Sequence, residues 1–187
     1  MANEISGIQA TIEIDGVSFD VLECSITDAI DEIPKASVQI ARGNREEAVL
    51  EPPHALLGRE VVLRVGAIEA FGDARTFSGR VIEAERRLVG TPRPHLRITV
   101  SPDLFRLTKR SDVRTFQKKN VMDIASEVMD RAGAGPCKFQ CAGSYEPRDY
   151  VVQYRETDYA FLTRILAEEG IAFAFNHLEN ETVFFDI

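Results

Sequence analysis

Cysteine is scarce in this chain. Cys24, Cys137 and Cys141 are its only three, and an odd number excludes the disulfide framework that staples small secreted domains. Histidine is as sparse: His54 lies in a proline-rich stretch, His95 follows a proline and His177 falls in a predicted turn. None belongs to a His-Glu-x-x-His pair or a comparable signature. Cys137 and Cys141 have the spacing of half a zinc site, but the other half would have to come from distant Cys24 or a histidine. The thiols are therefore expected to act as small buried hydrophobes, and no metal or cofactor is expected. Positive charge is in deficit too. With 22 Lys and Arg against 30 Asp and Glu, the formal charge is −8, which argues against nucleic acid as a partner. No apolar run approaches the roughly 20 residues that span a bilayer. The start, Met1-Ala2-Asn3-Glu4-Ile5, lacks the basic-then-apolar pattern of a secretory signal. Synthesis in the cytosol, without membrane insertion, is expected.

Catalytic signatures are also missing. There is no Gly-x-Ser-x-Gly elbow and no phosphate-cradling glycine loop, and Gly133-Ala134-Gly135-Pro136 reads as a helix stop because no helix follows it. Acidic pairs occur at Glu146 and Asp149, Glu156 and Asp158, and Glu168 and Glu169. Glycoside hydrolysis needs two carboxyl groups facing each other across a cleft, so these pairs are expected to be solvated surface charge. Lys109, Arg110, Arg114, Lys118 and Lys119 surround Phe116. That cluster suits either a docking surface or, as preferred here, a solvated loop before a helix. In Arg148-Asp149-Tyr150 and Tyr154-Arg155-Glu156, aromatics interleave with opposite charges, as in a polar rim or in paired strands where arginine stacks on tyrosine, and structural pairing is preferred over ligand binding.

What is present is an ordinary globular composition, 44 % hydrophobic over 187 residues, enough for one large domain or two small ones. Ile8 to Ile14 and Val17 to Val21 alternate apolar and polar residues on either side of Asp15-Gly16, the dipeptide that supplies two positive φ angles in a hairpin turn. Further alternating stretches are Ala36 to Ala41, Glu60 to Val65, Phe77 to Glu85 and His95 to Val100. Short strands with one apolar face favour a closed or nearly closed antiparallel barrel, which protects its edges. Gly43 to Gly58, with Pro52 and Pro53, reads as a loop or broken helix.

From about Ser101 the period changes. Asn120 caps a predicted helix with Val121, Ile124, Ala125, Val128, Met129 and Ala132 on one face and Gly133 at its end. A second, Tyr159 to Glu169, is capped by Thr157 or Asp158, presents Phe161, Leu162, Ile165 and Leu166, and stops at Gly170. Ile171 to Phe175 and Thr182 to Ile187 then read as a hairpin, with Phe173 and Phe175 on one face and Ala172 and Ala174 on the other. The expected fold class is α+β, mainly β: an antiparallel barrel-like domain over 1–100 and an α+β domain over 101–187. The last strand runs to Ile187 with no turn or polar tail, so the second domain is expected to be a truncated piece of a longer protein.

Read in order, the residues of the last third resemble the VgrG family, the spike proteins of the bacterial type VI secretion system, whose base is similar to the baseplate hub of contractile phage tails. The resemblance rests on Arg114, Phe116, Gln117, Tyr145, Arg148, Tyr150, Gln153, Tyr154, Arg155, Glu156, Asp158, Phe161, Arg164, Leu166, Glu168, Glu169, Gly170 and Ile171. It covers about Leu104 to Ile187 well. It covers the N-terminal strands more loosely, through the opening hairpin and Ser78-Gly79-Arg80-Val81. It implies a phage tail hub-like fold and a non-enzymatic structural role for the signature residues. It further implies a homotrimeric base forming a pseudo-sixfold ring on the hexameric Hcp tube, contacts with baseplate proteins, and assembly in the bacterial cytoplasm before export by the type VI machinery. A hub from a phage tail or an extracellular injection device would share the fold. A peptidoglycan hydrolase is the rival from another class, without an acid-base constellation to support it.

Overall fold

The computed structural model describes residues 8–40, 52–67, 75–87 and 95–187. The chain divides into two compact units, Met1–Thr27 with Lys35–Ser101, and Asp28–Pro34 with Pro102–Ile187.

In the first unit, strands β1 (Ile8–Ile14), β2 (Val17–Thr27), β3 (Lys35–Ile40), β4 (Glu60–Ala67), β5 (Arg75–Arg87) and β6 (His95–Ser101) close into a barrel in the order β1-β2-β3-β6-β5-β4. Each neighbouring pair is antiparallel. The opening hairpin turns where expected, with Asp15 at φ 47° and Gly16 at φ 80°. Alternation sends Ile12, Ile14, Val38, Ile40, Val61, Leu63, Phe77, Ile98 and Val100 inward, where they are buried together. A barrel of six strands is narrow enough for such side chains to fill, and each contributes about 1.5–3 kcal/mol by leaving water. Register shifts between Val21 and Glu23 and between Val81 and Glu83 insert an extra residue into β2 and β5, and such bulges bend strands sharply enough for closure. A 3₁₀ helix, Pro53–Leu56, adds Leu56 to this core. The Gly43 to Glu51 part of the expected loop lies outside the described residues.

The second unit contains a 3₁₀ helix (Asp103–Thr108), β7 (Ser111–Phe116), α1 (Val121–Ala132), β8 (Cys137–Gln140), β9 (Val151–Thr157), α2 (Asp158–Ala167), β10 (Ile171–Asn176) and β11 (Glu181–Asp186). β7 and β9 form an antiparallel ribbon, while β11 lies between antiparallel β10 and parallel β8. Helix α1 begins as expected, Asn120 Oδ1 accepting from the Asp123 N–H at 2.8 Å, and ends at Gly133 in the left-handed conformation. Helix α2 is capped by Thr157, whose Oγ1 accepts from Ala160 N at 3.1 Å. It ends two residues before the expected limit, and Gly170 turns the chain at φ 68°. The apolar faces of both helices meet Phe116, Phe173 and Phe184 in one core. Ala172 and Phe173 are both buried, so the start of β10 is covered on both faces rather than one.

The connection between β2 and β3 belongs to this second unit. Asp31, at φ 60°, donates its N–H to Phe173 O at 2.9 Å, and its Oδ1 accepts from Phe173 N at 2.9 Å. Tyr159 Oη donates to Asp31 O at 2.7 Å. One residue thus satisfies both backbone groups of Phe173, as a paired strand would.

Candidate functional site

The ribbon β7–β9 organises the signature residues. On β7, Asp112, Arg114 and Phe116 lie to the inner side and Val113 and Thr115 to the outer. Arg114 sits opposite Gln153 in register, and its Nε donates to Gln153 Oε1 at 2.9 Å. Its Nη2 reaches Asp158 Oδ1 at 2.5 Å, while Gln153 Nε2 donates to the same oxygen at 2.8 Å. The Arg114 side chain is 9 % exposed and that of Asp158 0 %. Burying an ion pair costs several kcal/mol per ion unless hydrogen bonds satisfy it, and Gln153 supplies part of that satisfaction. Asp158 is the first residue of α2, so the positive end of the helix also favours its charge. Arg110 adds a further cation, 3.6 Å from Asp158 Oδ2, and its Nη1 donates to Arg131 O at the end of α1. Strand, ribbon partner and both helices are tied to one carboxylate.

Aromatic stacking runs alongside. Phe116 and Phe161 stack with centroids 5.4 Å apart and planes within 11°. Arg114 lies over the Phe116 ring at 5.6 Å from its centroid, and Arg164 over the Phe161 ring at 5.5 Å. Arg164 Nη2 binds Glu156 Oε1 at 2.6 Å and Val152 O at 3.2 Å, and its Nη1 lies 3.4 Å from Glu168 Oε1. Glu168 in turn binds Arg148, whose Nη2 donates to Glu169 Oε1 at 2.6 Å. Burial works against the Arg148 charge, but its two carboxylates outweigh it and hold its pKa above the usual value. The guanidinium of Arg164 is likewise favoured, first by Glu156.

A smaller cluster closes the unit. Asp186 accepts from Tyr145 Oη, from Ala142 N at 2.7 Å and from Gly143 N at 3.3 Å. The tyrosine hydroxyl and then the Ala142 N–H hold the Asp186 carboxyl below its ordinary pKa, while the same bond pushes the Tyr145 phenol up. Burial raises the Cys137 and Cys141 thiols, and both pack against the core, as small hydrophobes do. Among the described residues, no group of three or more His, Cys, Asp and Glu could hold a metal ion.

Two expectations require correction. Residues 111–116 of the basic cluster are a strand rather than a loop, and Arg114 is largely covered within it; inward-facing charges hide the alternation that would have shown the strand. Lys118 and Lys119 pair with Asp149 and Glu127. Nor are the acidic pairs uniformly solvated: Glu146 is exposed, but Asp158 is buried and Glu156, Glu168 and Glu169 are held by arginines. The framework joins Arg114, Phe116, Arg148, Glu156, Asp158, Phe161, Glu168 and Glu169. Gly170 supplies the turn beside it and Tyr145 stands in the Asp186 cluster, while Gln117, Tyr150, Tyr154 and Arg155 are exposed. The expected stacking of Arg155 on Tyr154 is present at 5.4 Å. Sequence reasoning passed over Asp186 and Asp31. No local motif marks either, because their partners lie 41 and 142 residues away.

The family model of the phage tail baseplate hub matches residues 33–187, and the chain belongs to that family. The type VI secretion system spike protein VgrG1c of Pseudomonas aeruginosa is 35 % identical over 127 residues, which is 67 % of this chain and 17 % of that protein. VgrG4b of the same species, also a type VI spike protein, is 31 % identical over 182 residues, 95 % of this chain and 21 % of its own length. Among solved structures, an E. coli type VI secretion component, itself described as similar to the T4 tail proteins gp27 and gp5, superposes with a TM-score of 0.76 at 19 % identity, covering 94 % of this chain and 48 % of its own. This chain therefore spans about a fifth of the length of those spike relatives and about half of the solved component.

Proposed function

We propose that these residues form part of the base of a type VI secretion spike, a structural hub and not an enzyme. The observation that carries the reading is the hub family match over 33–187 together with spike relatives at 31–35 % identity. The geometry suits the role. A closed barrel has no free edges and resists deformation, and ring symmetry lets one surface serve every copy. In the second unit, the arginines fix carboxylates to neighbouring strands and helices, an arrangement for stiffness. In the complete assembly three copies make a ring on the hexameric Hcp tube and meet baseplate proteins, assembling in the cytoplasm before export. A hub of a phage tail or an extracellular injection device would use the same geometry, and the neighbouring genes distinguish these settings.

The test is absolute mass by light scattering at several concentrations, with and without the cognate tube protein. A trimer, or a stable complex with the tube hexamer, is expected. A monomer that ignores the tube at every concentration would remove ring assembly and tube capping from these residues.

A further inference from the structure

Every arginine of the second unit but one is neutralised within the fold. Arg106 pairs with Asp103, Arg110 and Arg114 with Asp158, Arg131 with Glu127, Arg148 with Glu168 and Glu169, and Arg164 with Glu156 and Glu168. Arg155 is the exception among the described residues. Its guanidinium makes no ion pair or hydrogen bond and rests only on the ring of Tyr154. This happens in a chain where acids outnumber bases by 30 to 22, so a nearby carboxylate is easily come by.

The backbone explains why Arg155 finds none. β7 and β9 pair Asp112 with Glu156 and then Val113 with Tyr154, so Arg155 is the extra residue of a bulge. It adopts φ 50°, a conformation unfavourable for an L side chain. Bulges re-aim side chains. Here the bulge places the free cation beside the outer face of the ribbon, where Val113 is 58 % exposed and Tyr154 63 %. Val113 faces Tyr154 in register, and Thr115 faces Val152, so these cross-strand pairs on the outer face carry no charge.

We propose that Arg155 and Tyr154, with Val113, form a docking point for a protein partner that presents a carboxylate next to an apolar side chain. A guanidinium already oriented on an aromatic ring binds a carboxylate in two-pronged fashion with little further ordering, and the uncharged face beside it takes the apolar neighbour. Charge complementarity selects that occupant. A single carboxylate meets Arg155 alone, whereas a polyanion such as nucleic acid would set further phosphates against a body of charge −8. The inference does not depend on the spike reading, since it rests on the unpaired arginine and the bulge.

The test uses the full chain and two blocked hexapeptides, one alternating Val with Glu and the other Val with Gln, titrated at millimolar concentration while the backbone N–H resonance of Val113, opposite Tyr154 in register, is followed by NMR. The Glu peptide is expected to shift that resonance and to bind roughly fivefold more tightly than the Gln peptide, the advantage shrinking in high salt. Tyr154→Ala should weaken the response and Arg155→Gly should abolish it. Arg155→Gly also separates docking from folding, because glycine accepts the bulge conformation freely. Its melting temperature should equal or exceed that of the parent. A lower melting temperature would overturn the proposal by giving Arg155 a structural role. Equal responses to both peptides would overturn it as well, as would a stronger response to an oligothymidylate. Self-association that Arg155→Gly removes would make the occupant a second copy of the chain and overturn the partner class proposed here.

Discussion

The two units reach stability by different means. The barrel buries aliphatic and aromatic side chains on the inner face of six alternating strands, a force without direction that tolerates exchange of one apolar group for another of similar volume. The second unit adds to its own apolar core a buried carboxylate, a stacked phenylalanine pair with an arginine over each ring, and a run of alternating charges. Such contacts have strict geometry. They fix which strand lies where, at the risk that removing one member strands its partner in a site of low polarity.

Substitution can break that contrast directly. Phe77→Ala, at a fully buried barrel position, should cost about 3–5 kcal/mol, and Asp158→Ala should approach about 3 kcal/mol by leaving the largely buried Arg114 with only Asp112, 3.3 Å from its Nε, as ionic partner. Replacement by apolar groups separates the two. Phe77→Leu should lose far less than Phe77→Ala, whereas Asp158→Leu should regain stability only when combined with Arg114→Met. Denaturant melts of these four single variants, of Arg114→Met alone and of the double variant measure this, and additive single losses in the pair would dissolve the distinction.

At the next level, Arg148→Ala should cost about 1–2 kcal/mol, reduced from a fully buried ion pair because Glu168 remains half exposed. Its effect should shrink in concentrated salt while that of Asp158→Ala persists; equal salt sensitivity would mean that both sets of charges sit in comparable solvent. Smaller still, Gly170→Ala forces a side chain into φ 68° and should lower stability by about 1 kcal/mol, read as a shift in the urea midpoint. Gly170→Asn should cost less, since asparagine tolerates that region.

The smallest effect is a titration. The folded-state pKa of Asp186 lies below its ordinary value, so its contribution to stability is present above the unfolded carboxylate range and is lost as pH falls through the folded value. Tyr145→Phe removes the leading cause, and the carboxyl carbon resonance of Asp186 should then titrate at higher pH. An unchanged titration would assign the shift to the Ala142 and Gly143 amides alone.

Legibility followed the same divide. Barrel strands announce themselves because their inward residues are apolar and their outward ones polar; the two helices do so through Asn120, Thr157 and the glycines that end them. β7 carries Asp112 and Arg114 inward and Val113 outward, which inverts the usual pattern and makes a strand look like a solvated basic loop. β8, with four residues, is too short for any period. The order of Arg114, Gln153 and Asp158 carried the family resemblance, yet their meeting at one oxygen depends on a ribbon register that no local pattern specifies. The bulge at Arg155 has no turn residue to mark it.

The strap from Asp28 to Pro34 has a practical corollary. The chain passes from one unit to the other at Thr27, returns at Lys35 and leaves again after Ser101. A single cut after Ser101 would give a leading fragment carrying Asp31 without Phe173, and a trailing fragment with the backbone of Phe173 uncovered. Recombination that exchanged one unit at that junction would therefore have to bring along seven residues encoded far upstream.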